Sequence, residues 1–148
     1  MGLFNKVSKI SDSSDGLSER EAMLAILFLA TVEDGHISDE EASSFKHIAI
    51  RLGLFNKDDQ ASVQKLLNKL FNLYESVAGP AMVNRAAAVL SPKAAETAFA
   101  LATDRIVING KFTDGEEAFL EVLKMSLNIS EELADNIIEV CVIKNRIP

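Results

Sequence analysis

The sequence predicts an all-α protein, and three observations carry that expectation. Of the 148 residues 48% are apolar and 25% charged, the balance of an ordinary globular chain. Much of that content is alanine, leucine, glutamate and lysine, which favour helix; three prolines and seven glycines interrupt it, and β-branched runs are few. Apolar residues also recur at helical spacing between clear start and stop signals.

The elements follow in order. Leu3, Phe4, Val7 and Ile10 make a short amphipathic start, which leads into a polar linker over residues 11–16. Ser18-Glu19-Arg20-Glu21 is a capping box: the serine hydroxyl takes one free N–H of the first turn and the second glutamate reaches back. The helix it opens is expected to run to about residue 33. It is apolar almost all round (Met23, Leu24, Ile26, Leu27, Phe28, Leu29), so it should be central. Asp34-Gly35 ends it, and Ser38-Asp39-Glu40-Glu41 caps a second helix carrying Phe45, Ile48, Ala49 and Leu52 as far as Gly53.

A third helix is expected from about residue 58 to 76, with Val63, Leu66, Leu67, Leu70 and Phe71 facing inward. Gly79-Pro80 marks a loop, and a shorter helix follows over about 81–90. Ser91-Pro92 pairs a cap with proline at the first helical position, where its missing N–H costs nothing. The alanine-rich helix it starts is expected to reach about residue 108. Asn109-Gly110 breaks it, Thr113-Asp114-Gly115-Glu116 caps the next, and Ser130 starts the last.

The chain contains a duplication. Asp34-Gly-His-Ile-Ser-Asp-Glu-Glu41 aligns without gaps on Asn109-Gly-Lys-Phe-Thr-Asp-Gly-Glu116; downstream, Phe45 matches Leu120, Ile48 matches Leu123 and Leu52 matches Leu127. Two such helix–turn–helix units can bury both inner faces by packing their apolar helices together. Residues 19–33 and 92–108 are expected to form that core pair, with Ala94, Ala95, Ala98, Ala100 and Ala102 allowing close approach. The division that follows is an amphipathic segment and linker over 1–16, then one helical domain over 17–148 with halves 17–78 and 79–148.

The repeated turn has half the pattern of an EF-hand loop, with Asp or Asn, Gly, an apolar residue and a closing Glu in register. The first and third loop positions, which should add oxygen ligands, hold Ala30 and Val32 in one copy and Arg105 and Val107 in the other. A true EF-hand is rejected. Two readings of the turns stay open. In one they are purely structural: a left-handed turn, a Ser38 or Thr113 cap, the capping-box Glu41 or Glu116, and Ile37 and Phe112 as inward anchors. First-turn acids Asp39, Glu40, Asp114 and Glu117 then oppose the helix dipole. In the other, Asp34, Asp39, Glu41, Asn109, Asp114 and Glu116 form a loose, hydrated Mg²⁺ or Ca²⁺ site. Asp104, polar within an apolar helix, is an extra ligand or a buried partner near Arg105.

Composition excludes several classes. The net charge is −7 and no basic cluster offsets it, so nucleic acid is a poor partner. Cys141, the single cysteine, leaves no internal disulfide and is expected to be buried. The longest apolar stretch, residues 22–32, falls short of the roughly 20 residues needed to span a bilayer, and the N-terminus lacks a signal-peptide block. A cytoplasmic setting is expected. His36 and His47 have no Ser, Cys or zinc-motif partner at recognisable spacing, so the expectation is a binding module, not an enzyme. The four methionines are expected in the core.

These features resemble the TerB-type tellurite-resistance proteins of bacteria. The resemblance rests on Gly2-Leu3-Phe4-Asn5-Lys6-Val7, on the paired turns Asp34-Gly35 and Asn109-Gly110, and on Pro92-Lys-Ala-Ala-Glu leading to Asn109-Gly110-Lys-Phe. It implies a compact bundle of about seven helices in two pseudo-symmetric halves. It further implies a role in tolerance to tellurite and other chemical or phage stress, with stress-response protein partners in a membrane-associated system, at the inner face of the membrane. It also implies a divalent cation held by Asp34 and Glu41 and by Asn109, Asp114 and Glu116; Asn109 stands where the family pattern has Asp, which removes one formal charge. The alternative is a metal-free interaction scaffold whose surfaces are the N-terminal segment, with Lys6 and Lys9, and the acidic face.

Overall fold

The computed structural model describes residues 16–32, 36–107 and 110–147. Among them are seven helices: α1 (Glu19–Thr31), α2 (Asp39–Arg51), α3 (Gln60–Ser76), α4 (Gly79–Val89), α5 (Pro92–Ile106), α6 (Asp114–Ser126) and α7 (Glu131–Lys144). The amphipathic start, Asp34, Gly35 and Asn109 lie outside the described residues.

Local chemistry sets most boundaries. Ser18, Ser38 and Thr113 each form a complete capping box with Glu21, Glu41 and Glu116, so two otherwise orphaned N–H groups are satisfied at each start. The third and fourth helices differ slightly from expectation. α3 starts at Gln60 behind Asp59, whose side chain makes no cap hydrogen bond. α4 takes in Gly79 and Pro80, because proline in the first turn gives up an N–H that has no partner there.

The duplication recurs in geometry. α2 and α6 are both 13 residues long and end on Leu52 and Leu127, each with ψ near 0°. Gly53 N–H then donates to Ile50 O and Leu54 N–H to Ala49 O; Asn128 and Ile129 repeat this to Met125 O and Lys124 O. This Schellman ending needs a left-handed residue just past the helix. Gly53 supplies it at φ +72° and Asn128 at φ +56°, glycine and asparagine being the residues that visit this region cheaply.

α1 makes its most extensive contact with α5, as the core-pair expectation required, and packs also on α4, α2 and α3. Leu24, Ile26, Leu27 and Phe28 are sealed from solvent, and Ala95, Ala98 and Ala102 of α5 present small faces against the same core. Phe71 and Tyr74 each make a T-shaped contact with Phe28 at centroid distances of 5.0 and 6.0 Å, geometries that suit aromatic quadrupoles. Thr31 and Thr103 are buried, but each hydroxyl donates to a carbonyl one turn back, Leu27 O and Phe99 O, at 2.8 Å. The halves are tied at the helix starts, where Ser91 N–H donates to Glu19 Oε2 at 2.8 Å. Among the described residues no helix is long and apolar enough to cross a membrane.

One core assignment is corrected. Met82 is buried and Met23 packs against the core, but Met125 is 76% exposed. α6 already turns Leu120 and Leu123 inward, and Met125 falls on its opposite face.

Candidate functional site

The two repeated turns are the only features for which sequence suggested a ligand, and their side chains can be followed atom by atom. At the first, Ser38 Oγ accepts the Glu41 N–H at 3.1 Å and Glu41 Oε1 accepts the Ser38 N–H at 3.0 Å. The other carboxylate oxygen, Oε2, accepts a hydrogen bond from Arg105 Nη2 across the halves. Both side chains are about three-quarters buried, so this pair is screened less than a surface one. The Ser38 backbone N–H, above all, holds the Glu41 carboxyl below its ordinary pKa. The Ser38 hydroxyl and Arg105 add to the effect, while desolvation opposes it.

At the second turn Thr113 Oγ1 accepts the Glu116 N–H at 3.1 Å, and Glu116 Oε1 accepts the Thr113 N–H at 2.8 Å. In the alignment the counterpart of Arg105 is Ala30, so the equivalent position supplies no guanidinium to this copy. Asp39 and Asp114 sit exposed in the first turns of α2 and α6 and make no hydrogen bond or ion pair among the described residues. Asp34 and Asn109 are outside the described residues. Ile37 and Phe112 are half-buried against the core, as anchors should be.

Asp104 has a different task from either expected one. Its carboxylate accepts from Lys144 Nζ at 3.1 Å and from Asn145 Nδ2 at 2.9 Å, and Asn145 Nδ2 also donates to Cys141 O at 2.8 Å. This ties the end of α5 to the end of α7. Cys141 is buried between them, and desolvation, followed by the Asp104 charge, raises its thiol pKa. His36 and His47 are both exposed.

Ser44, Ile48, Arg51, Leu101, Asp104, Arg105 and Asn145 line a cleft of about 290 Å³ between α2, α5 and α7. A divalent cation needs several convergent oxygens, and two of the six expected ligands, Asp34 and Asn109, lie outside the described residues. Glu41 has one oxygen on a backbone N–H and the other on a guanidinium, and no three His, Cys, Asp or Glu side chains among the described residues form a metal-holding group. Sequence reasoning singled out Glu41 but missed Arg105 as its partner. The signal available was weak: an arginine in one copy opposite an alanine in the other.

No protein-family model matches the chain, and no curated protein or solved structure is significantly similar to it.

Proposed function

We propose that this chain is a non-enzymatic, cytoplasmic, TerB-like module that serves in tolerance to tellurite and related stress by binding other proteins. On this reading its acid-rich turns are structural joints. The residues that resemble the TerB type support the role, and the engagement of Glu41 by Ser38 and Arg105 supports the structural account of the turns.

One observation carries the binding role. Val122 and Met125 of α6, with Val140 and Ile143 of α7 and Ile147 beyond it, leave large apolar side chains in solvent; Met125 is 76% and Val140 61% exposed. Val140 and Ile143 stand three residues apart on α7, the spacing of an anchor stripe. Large apolar side chains left in solvent on two consecutive helices are the kind of surface a protein partner covers.

The test is affinity capture from stressed cells with the wild-type chain and a Met125→Ser/Val140→Ser variant. Both positions are exposed, so helicity should be unchanged. Proteins retained by the wild type and lost by the variant support the reading, and identical recoveries refute it. The exposed, unengaged carboxylates of Asp39 and Asp114 favour a second reading, a hydrated Mg²⁺ or Ca²⁺ site, which metal titration decides.

A further inference from the structure

α4 has no described counterpart in the first half of the repeat, and the burial pattern shows where one belongs. α4 packs on α1 and on α6. On α1, Ala25 and Ile26 are completely buried, whereas their counterparts on α5, Ala100 and Leu101, are half-buried. On α6, Leu123 is completely buried and its counterpart Ile48 on α2 is half-buried. Leu127 is 6% exposed and its counterpart Leu52 is 37% exposed. Each difference has the same sign. The side of the molecule equivalent to the α4 seat is the less covered one, and the cleft in which Ile48 and Leu101 stand among Ser44, Arg51, Asp104, Arg105 and Asn145 lies on it.

We propose that residues 3–10 of the same chain occupy this cleft as the counterpart of α4. Three arguments select this occupant. The buried face of α4 is Met82, Val83 and Ala86, and the chain before α1 repeats that spacing with Leu3, Phe4 and Val7, in a register four residues farther from α1 than the gapless alignment of the repeat. The sizes are complementary: Phe119, packed against the core on α6, is replaced on α2 by the exposed Ser44, leaving room for the bulkier Phe4. The reach is also sufficient. Gly16 O is held by Lys69 Nζ at 2.8 Å, and Arg20 Nη1 donates to Leu54 O at 3.4 Å, so α1 starts beside the chain that leaves α2. Arg51, the last residue of α2, stands at that end of the cleft. The residues between Ile10 and Gly16 can span about 20 Å when extended. Docking would remove Leu3, Phe4 and Val7 from water together with Ile48 and Leu101, which is the driving force.

The chain has no tryptophan, so Phe4→Trp in the full-length protein is a unique reporter. Its emission should be blue-shifted and shielded from acrylamide, independently of protein concentration. Ser44→Phe, which fills the cleft with the residue of the other half, should shift the emission to that of a solvated indole while far-ultraviolet circular dichroism stays unchanged. Leu101→Asp should do the same, and if it unfolds the protein, Ser44→Phe decides alone. Solvated emission in the otherwise unaltered chain would overturn the proposal, as would shielding that survives Ser44→Phe. Shielding that grows with protein concentration would assign the segment to a second copy. Shielding that appears only with anionic phospholipid vesicles would assign it to a membrane surface. Either result also overturns the proposal.

Discussion

Replacing Glu41 and Glu116 by glutamine separates the two jobs that a carboxylate does at these turns. Glutamine keeps the capping box, because its amide oxygen still reaches the N-cap N–H. Both substitutions remove one negative charge from a helix N-terminus, a loss of about 0.3–1 kcal/mol that is shared and cancels in the comparison. Among the described residues only Glu41→Gln breaks an ion pair, the one with Arg105. An exposed pair contributes about 0–1 kcal/mol, and a hydrogen bond to a charged group about 1.5–3 kcal/mol. With both side chains about three-quarters buried, a contribution of about 1–1.5 kcal/mol follows from those bounds. For a chain of this size that lowers Tm by about 3–5 °C relative to Glu116→Gln.

The pH dependence gives an independent check. The folded-state pKa of Glu41 is lowered, so its contribution is present above the ordinary carboxylate value and is lost as pH falls through the folded value. The gap between wild type and Glu41→Gln should therefore be full at neutral pH and close in acid. Thermal and urea unfolding followed by circular dichroism, over a pH series, measure both quantities. A double-mutant cycle with Arg105→Ala isolates the coupling. Equal losses for the two glutamine variants, or a gap that persists at acid pH, would refute the reasoning.

Further outcomes follow from the same structure. Gly110→Ala should cost about 2 kcal/mol in urea unfolding, because the left-handed backbone penalises a Cβ and this one would meet Val142 O and Arg146 Cγ at 3.2 Å. Gly53→Asn should cost only a few tenths of a kcal/mol, since a Cβ there meets nothing within 4 Å, Asn128 already holds the equivalent turn and asparagine tolerates it. Cys141 should react slowly with a disulfide reagent in the native state and fast in denaturant, because burial disfavours its thiolate; rapid native reaction would contradict its placement.

Helix existence, order and most boundaries were legible because their causes are local. Ser18, Ser38, Ser91, Thr113 and Ser130 each cap within three residues of themselves, a distance over which sequence and space coincide. The α1–α5 core pair was legible from apolar content and small residues. What was not legible depends on contacts between remote positions. Arg105 meets Glu41 across 64 residues, and Asp104 meets Lys144 across 40; no local pattern encodes either. Met125 misled because a methionine in an amphipathic helix looks the same whether its face meets the core or solvent. At the turn acids capping and chelation use the same residue types at the same spacing, so the sequence does not separate a cap from a ligand there.

The central claim is that the acid-rich turns are joints and that function lies on the surface of the bundle. Thermal unfolding of the chelator-treated protein with and without millimolar Ca²⁺ or Mg²⁺, beside Glu41→Gln, tests it most directly. The account predicts the same Tm in every condition for a given variant. Metal at about 100 times its dissociation constant stabilises a folded site by roughly 2.7 kcal/mol, so a rise of several degrees in the wild type, abolished in Glu41→Gln, would contradict the account and make the turns a cation site.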